Sequence, residues 1–344
     1  MRRFHTTLLL APLAGALACS DFLSGGELDT DPVRPTSATN SQIFVGTQSA
    51  LWSVLMSDPA RIAALWTQQL SGTNIQTQAI YNYDVTEQTT NGFHQAIYTA
   101  GGLVDIRKLQ ARAAESRDSL MLGIAQVEEA LLVGTAADLF GDITYSEALQ
   151  FDRQNPALDP QLEVYDALQA LLDRAIANLR TTAPTNQGPG DADLSYGGDA
   201  AQWTRLAYTL KARFYLHTAE VRPAAYAQAL AAARQGITSA ADDYVAAFSG
   251  ALNEQNFWYQ FDVVQRAGYL TPDPTFVALL RTRNDPRLGR YFNATQSGFH
   301  AELIKPDHTQ QLVSAAENLL IWAEAAQRGG NDAEARTQLD RARA

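Results

Sequence analysis

Any chemistry in this chain has to come chiefly from its carboxylates, because the other reactive side chains are few and poorly spaced. Glu128-Glu129, Asp138, Asp142 and Glu147 form the densest acidic group, and two carboxylates flanking a sugar are the machinery of glycoside hydrolysis. Neighbouring residues on a helix diverge by about 100°, so Glu128 and Glu129 cannot face one substrate together. Solvated or capping roles are the expectation for the group. His5, His94, His217, His300 and His308 show no HExxH spacing. Asp191, Asp193 and Asp199 suggest a calcium loop, but the twelfth position from Asp191 is Gln202, where such a loop requires a bidentate glutamate. That segment reads instead as an acidic, solvated loop. Cys19 is the only cysteine, which excludes an internal disulfide and a thiolate metal site. No phosphate-cradling glycine loop and no serine nucleophile elbow occurs. The expectation is a protein with no catalytic residue, no metal and no cofactor.

Recognition by contact requires less: an aromatic ring for the apolar face of a pyranose, with amides, carboxylates or guanidinium groups for its hydroxyls. Two segments carry these types in close order. Trp258, Tyr259 and Phe261 are flanked by Asn253, Gln255, Asn256 and Gln260, and Tyr81 and Tyr83 lie among Asn74, Gln76, Gln78 and Asn82. Trp258, Tyr259, Phe261, Asn256, Tyr81, Tyr83 and Asn82 are therefore the candidate ligand contacts. The same aromatics would serve equally as a hydrophobic underside pinning each loop to its scaffold, and the pattern alone leaves both readings open.

The elements that must position these segments are helical. Helix-period stretches run over 40–56, 58–71, 91–115, 117–140, 161–181, 199–219, 223–238, 273–282, 313–329 and 331–343, with little strand alternation. In 161–181, Val164, Leu168, Leu171, Leu172, Ala175, Ile176 and Leu179 share one face. Gly197-Gly198-Asp199 is a start signal for the next helix, and Pro223 suits the first turn of the one after. Small residues recur at helix-pair spacing, as in tetratricopeptide repeats: Ala323 with Ala335, Leu339 and Ala342 across a Gly329-Gly330-Asn331 turn, and Ala212 with Ala229, Ala233 and Gly236. The fold class is mostly α, a tetratricopeptide-like scaffold with irregular inserted loops. An irregular bundle is the alternative. Arg341-Ala342-Arg343-Ala344 ends inside a helical pattern without a cap, so a truncated C-terminus is expected.

Residues 1–18 read as a lipoprotein signal: Arg2 and Arg3, then an apolar stretch from Leu8 to Leu17, then Ala18 before Cys19. The usual leucine three residues before the cysteine is replaced by Ala16, with Leu17 displaced by one. Cys19 is the expected lipidation site, 19–39 a flexible tether rich in Gly, Asp, Pro and Ser, and 40–344 a single helical domain. No later run approaches the ~20 consecutive apolar residues of a membrane span, so the lipid is the expected membrane attachment. Without the signal, 24 basic residues face 37 acidic ones, a balance that disfavours nucleic acid as a partner.

The run Asp138-Leu139-Phe140-Gly141-Asp142-Ile143-Thr144-Tyr145-Ser146-Glu147-Ala148-Leu149 resembles the segment with which SusD/RagB-like proteins leave a long helix, Thr144 standing where proline is common. Further blocks agree in order: Cys19-Ser20-Asp21-Phe22-Leu23, Val164-Tyr165-Asp166-Ala167-Leu168, Asn284-Asp285-Pro286-Arg287-Leu288 and Glu317 to Ala325. Their physical readings are structural, with Gly141 supplying an unusual backbone angle and Asp142 accepting amides of the following turn. The resemblance implies an outer-membrane lipoprotein facing the exterior. It would capture nutrients, usually oligosaccharides, and pass them to a SusC-type TonB-dependent transporter. A protein-binding scaffold of the envelope and a glycoside-active enzyme are the rival readings.

Overall fold

The computed structural model describes residues 38–99, 101–150 and 152–343; Cys19, the signal and most of the tether lie outside them. Fourteen helices and four short strands are described. In chain order they are α1 (Asn40–Met56), α2 (Asp58–Trp66), β1 (Leu70–Gly72), α3 (Ile75–Tyr81), α4 (Glu87–Tyr98), α5 (Leu103–Glu115), α6 (Ser119–Phe140), α7 (Gln161–Arg180), α8 (Ala200–Thr218) and α9 (Ala225–Ala233). There follow β2 (Tyr244–Ala246), α10 (Phe257–Tyr259), β3 (Leu270–Pro272), α11 (Pro274–Thr282), α12 (Arg287–Tyr291), β4 (Gln310–Val313), α13 (Ala315–Arg328) and α14 (Asp332–Arg343). Residues Gln260–Gln265 continue α10 as a π-helical turn.

The helical repeat is the frame. Helices α5 to α9 pack on their sequence neighbours, and α13 and α14 extend the array, α13 lying on α8 and α9. Within it α6, α8 and α13 form one layer, each touching the next. Helix α6 is apolar on all sides, starts at an Asp118 carboxylate that accepts the Met121 amide at 3.0 Å, and stops at Gly141 with φ +75°. It is long and apolar enough to cross a membrane, contrary to expectation, but 83% of its apolar stretch is buried in the fold. An all-round apolar helix is what the centre of a helical protein requires. The face of α7 that the periodicity marks is buried, and Asp199 caps α8 by accepting the Gln202 amide at 2.8 Å.

Small residues set the spacing of α8, α9 and α13, where Ala212, Ala229 and Ala233 are fully buried. A Cβ on Gly236 would stand 2.6 Å from both Thr209 Oγ1 and Asn318 Oδ1, so only glycine permits this approach. Asn318, itself fully buried, donates to the carbonyls of Ala233 at 2.9 Å and Ile237 at 2.8 Å. The inner layer is not an open channel. Helix α1 and the segments inserted between repeats fill it: Phe44 meets Trp203 edge-on at 6.4 Å, and Trp52 Nε1 donates to Tyr244 OH at 3.2 Å.

Several expected elements differ. The 91–115 helix is two, α4 and α5, broken at Gly101 (φ +80°), where a Cβ would stand 2.5 Å from that of Ala50 on α1. Helix α2 ends at Trp66 because Leu70–Gly72 pairs antiparallel with Leu270–Pro272. Pro223 precedes α9, which begins at Ala225. Helices α3, α10 and α12 are short and aperiodic, and carried too little pattern to be read.

Glu128 and Glu129 are neither solvated nor capping. Glu128 is fully buried against α1 with one carboxyl oxygen unpartnered, and burial pushes its pKa well above the usual carboxylate range. Thr47 Oγ1 lies 2.9 Å from the Phe44 carbonyl and 2.8 Å from Glu128 Oε2. The Thr47 hydroxyl donates its one hydrogen between these two acceptors, and its bond to the carboxylate only partly offsets the burial that favours the protonated form of Glu128. The folded chain therefore holds a proton that the unfolded chain releases above about pH 4.3, and stability from this site falls as pH rises through that window. Glu128→Gln keeps a donor toward Thr47. It is expected to raise the melting temperature by about 2–4 °C at pH 7.5 and to change it little at pH 4; scanning calorimetry at the two pH values reads the difference.

Candidate functional site

The two aromatic segments, far apart in sequence, meet because β1 pairs with β3 in the register Leu70↔Pro272, Ser71↔Thr271, Gly72↔Leu270. Next to this ladder Asp273 is fully buried. It accepts Ser71 Oγ and Tyr81 OH, each at 2.8 Å, and caps α11 through the Thr275 amide at 2.8 Å. Burial pushes its pKa up, but these donors outweigh it and hold the carboxyl below its ordinary value. Beneath lies a second hydrophobic core of Ile62, Leu65, Leu70, Ile80, Phe93, Leu270, Val277, Leu280 and Phe292, on which Tyr81, Trp258 and Phe261 all pack.

Within this region the candidate contacts divide. Tyr81 spends its hydroxyl on Asp273, and Phe261 packs on the core with the Arg61 guanidinium 4.2 Å from its ring centre. Asn256 is fully buried: its Oδ1 accepts the Trp258 and Tyr259 amides at 2.8 and 3.2 Å, and its Nδ2 donates to the His308 carbonyl at 2.9 Å. In Tyr81 and Asn256 the polar atoms are engaged inside the protein, and Phe261 packs one side of its ring on the core, so all three have internal partners. Trp258 and Tyr259 are half-buried, and Asn82 is exposed at the end of α3.

Tyr83 is 62% exposed and stacks on Trp66, itself 40% exposed, with ring centres 5.8 Å apart and planes 25° from parallel. Trp66 Nε1 donates to the Ile80 carbonyl at 2.9 Å, which fixes the ring. Gln68, Ile75 and Tyr83 all have positive φ, at 56°, 25° and 61°. Such angles are costly for bulky residues and cluster where function demands them. Two exposed rings, stacked in roughly parallel planes beside backbone with positive φ, form a platform. Trp66 was missed by sequence reasoning: it stands four residues after Ile62, on the same helical stripe as Ile62 and Leu65, so periodicity marks it for burial and gives no sign of its 40% exposure.

Trp258 faces a separate groove of about 840 Å³, where it meets Phe299 edge-on at 5.8 Å, with Tyr291, His308, Gln310 and Gln311 also on the wall. The 287–313 segment supplying this wall was also missed, because its aromatics are scattered. In the adjoining π-helical turn one oxygen of Asp262 is buried without a partner, and burial lifts this carboxyl to about 6.

The acidic group around the Asp138–Leu149 run is likewise committed internally. Glu129 accepts Arg107 Nε at 3.2 Å, Tyr145 OH at 3.0 Å and Gln110 Nε2 at 2.6 Å. Asp138 accepts Tyr165 OH at 2.5 Å and lies 2.8 Å from His217 Nδ1. Asp142 caps α7 through the Gln161 amide at 2.9 Å, while the turn amides of Tyr145 and Ser146 go to Asp159 instead, each at 2.8 Å. Glu147 binds Arg153 and the Ala157 amide. Asp193, expected in a solvated loop, is 3% exposed and takes amides from Ser195, Tyr196 and Gly198, together with Gln48 Nε2 at 2.9 Å and Trp203 Nε1 at 2.7 Å. Among the described residues no group of three or more His, Cys, Asp or Glu is arranged to hold a metal.

A helical-repeat array whose inner face is filled by its own chain, with inserts that bring aromatics to the surface, defines a class of repeat-based binding protein. A family model described as SusD-like, starch-binding associating with outer membrane, matches residues 32–342, and the chain belongs to that family. Solved structures agree on the fold. A SusD/RagB family protein from Bacteroides thetaiotaomicron is 24% identical over 89% of this chain and 71% of its own, with a TM-score of 0.75. A chitin-binding protein is 20% identical over 89% and 76%, with a TM-score of 0.72. A chitin-binding SusD homolog from Flavobacterium johnsoniae is 18% identical over 87% and 69%, with a TM-score of 0.69. No curated protein sequence matches the chain.

Asn256 ties both sides of the groove together, Trp258 through the α10 cap and His308 through its carbonyl. Asn256→Ala is expected to cost about 1–3 kcal/mol of stability through the unpaired groups it leaves, and to red-shift Trp258 emission as the ring gains water. Urea denaturation and tryptophan fluorescence, compared with Trp258→Phe as blank, check both; an unchanged midpoint would refute the clamp.

Proposed function

We propose that the protein captures saccharides at its surface, with the Trp66–Tyr83 platform as the primary contact. The observation that carries this reading is the exposed, stacked ring pair on strained backbone. A folded protein gains nothing from displaying such a surface, and a pyranose has the matching apolar face. The starch-binding description of its family and the chitin-binding relatives point to the same ligand class. Asn82 beside the platform offers an amide for sugar hydroxyls. The protein acts as a binder and not as an enzyme, since the acids weighed as a catalytic group serve as internal struts.

Capture alone moves nothing across a membrane. The reading therefore includes lipidation at Cys19, residence on the exterior of the outer membrane, and delivery to a SusC-type TonB-dependent barrel. The repeat-scaffold alternative is disfavoured because α1 and the inserts pack on α5, α6 and α8 and cover array surface that would otherwise hold a protein partner.

In isothermal titration with chitin and starch oligosaccharides, Trp66→Ala and Tyr83→Ala are each expected to weaken binding by about 1–3 kcal/mol with the helical circular dichroism spectrum intact. Unaltered affinity in both would remove the platform from the mechanism. Purification of the lipidated protein from its native membrane is expected to recover a large β-barrel in near-equal amount. Recovery of the protein alone, in detergent that preserves other transporter complexes, would favour a free-standing role.

A further inference from the structure

Resting on the saccharide reading above, we propose that the groove beside Trp258 is a second subsite that selects sugars bearing a carboxylate, uronic acid units, over neutral ones. The groove's wall runs against the character of the whole protein. Acidic residues outnumber basic ones 37 to 26 in the chain, yet no acid lines this groove, while Arg213 and His308 both do. The nearby acids of the same segment, Glu302 and Asp307, are exposed and lie off the wall, Glu302 being paired with Lys305 at 2.5 Å.

The two donors are held in place. Arg213 Nε and Nη2 bind Glu317 at 2.5 and 2.8 Å, leaving Nη1 without a hydrogen bond among the described residues. Asp138 also faces this guanidinium, and its carboxylate is engaged by Tyr165 and approached by His217. The acids that orient Arg213 are therefore engaged with protein partners and do not line the groove. The Arg213 side chain is only 15% exposed, and a charge-assisted bond made at such a site is less weakened by water than one on the open surface. His308 is positioned by its main chain through Asn256, and its ring makes no hydrogen bond among the described residues. A guanidinium edge and an imidazole in the same groove are the donor types a carboxylate takes. Trp258 and Tyr291 give the wall its aromatic surface for a pyranose, and Gln310 can serve its hydroxyls. A neutral sugar would use the aromatic faces alone, and an amino sugar would find no acid.

The test compares homogalacturonan oligosaccharides with their fully methyl-esterified counterparts, which keep the backbone and remove the charge, alongside neutral chitin and starch oligosaccharides. In titration calorimetry at low salt the acid form is expected to bind roughly ten-fold tighter than the ester, and the gap to shrink as salt is added. His308→Gln is expected to narrow the gap. Gln310→Glu, which places an acid in the wall at nearly constant volume, is expected to abolish or reverse it. Both leave the Arg213–Glu317 pair in place, and circular dichroism verifies their fold. Equal affinity for acid and ester, or a ratio that neither variant moves, overturns the selectivity while leaving neutral-sugar binding at Trp66–Tyr83 in force. Absence of binding by every saccharide, charged or neutral, overturns this proposal together with the reading it rests on.

Discussion

A chain that leaves a helix array and rejoins it much later must fix both ends of the excursion, and here that constraint falls on Asn318. Its buried amide donates to the carbonyls of Ala233 and Ile237, where the chain departs after α9, from the start of α13, where the array resumes. A single side chain thus binds two carbonyls, one at the C-terminus of α9 and one in the segment that leaves it. Thr209 completes the junction by accepting the Ile237 amide at 2.9 Å, and Gly236 lets the three segments close. Most of the groove wall, the π-helical turn and β3 lie on the excursion that this junction anchors, while Arg213 joins the wall from α8.

The same economy governs the blocks that carry the family resemblance. Asp138 from the first block meets Tyr165 from the next, Asp142 caps the helix to which Tyr165 belongs, and Glu317 in the last block clamps Arg213. These are cross-links between packed helices of the array, which accounts for the patterned residues by structure alone. Gly141 has the positive φ expected of it, and Asn284 reaches φ 47° at the end of α11. The segments proposed for recognition have no common pattern, and a change of residue there does not threaten the frame.

Strain and burial separate the two surfaces offered to ligand. The platform is open and neutral, its rings oriented by backbone angles that bulky residues avoid, so its preorganisation is stored locally. The groove is partly enclosed and draws its order from buried polar atoms, Asn256 on one side and Glu317 behind Arg213 on the other. Low effective dielectric strengthens polar contacts there. An open aromatic face tolerates many sugars, whereas fixed donors discriminate among them.

The repeat frame was legible in the sequence because it is written in local periods. The stripe of α7, the cap at Asp199 and the small residues Ala212, Ala229 and Ala233 each record a contact made within or between adjacent helices. The aromatic content of the two loop segments was also visible, but not which rings face outward. Tyr81 and Tyr83 are two residues apart with the same side chain, and one is spent on Asp273 while the other lies 62% exposed on Trp66. That choice depends on β1 pairing with a strand some 200 residues away and on a backbone angle of φ 61°. Neither leaves a mark within a window of sequence. The carboxylates failed for the same reason: Glu128 and Asp193 read as surface residues by type, and only the close packing of α1 and α8 around them determined that one would hold a proton and the other five N–H donors.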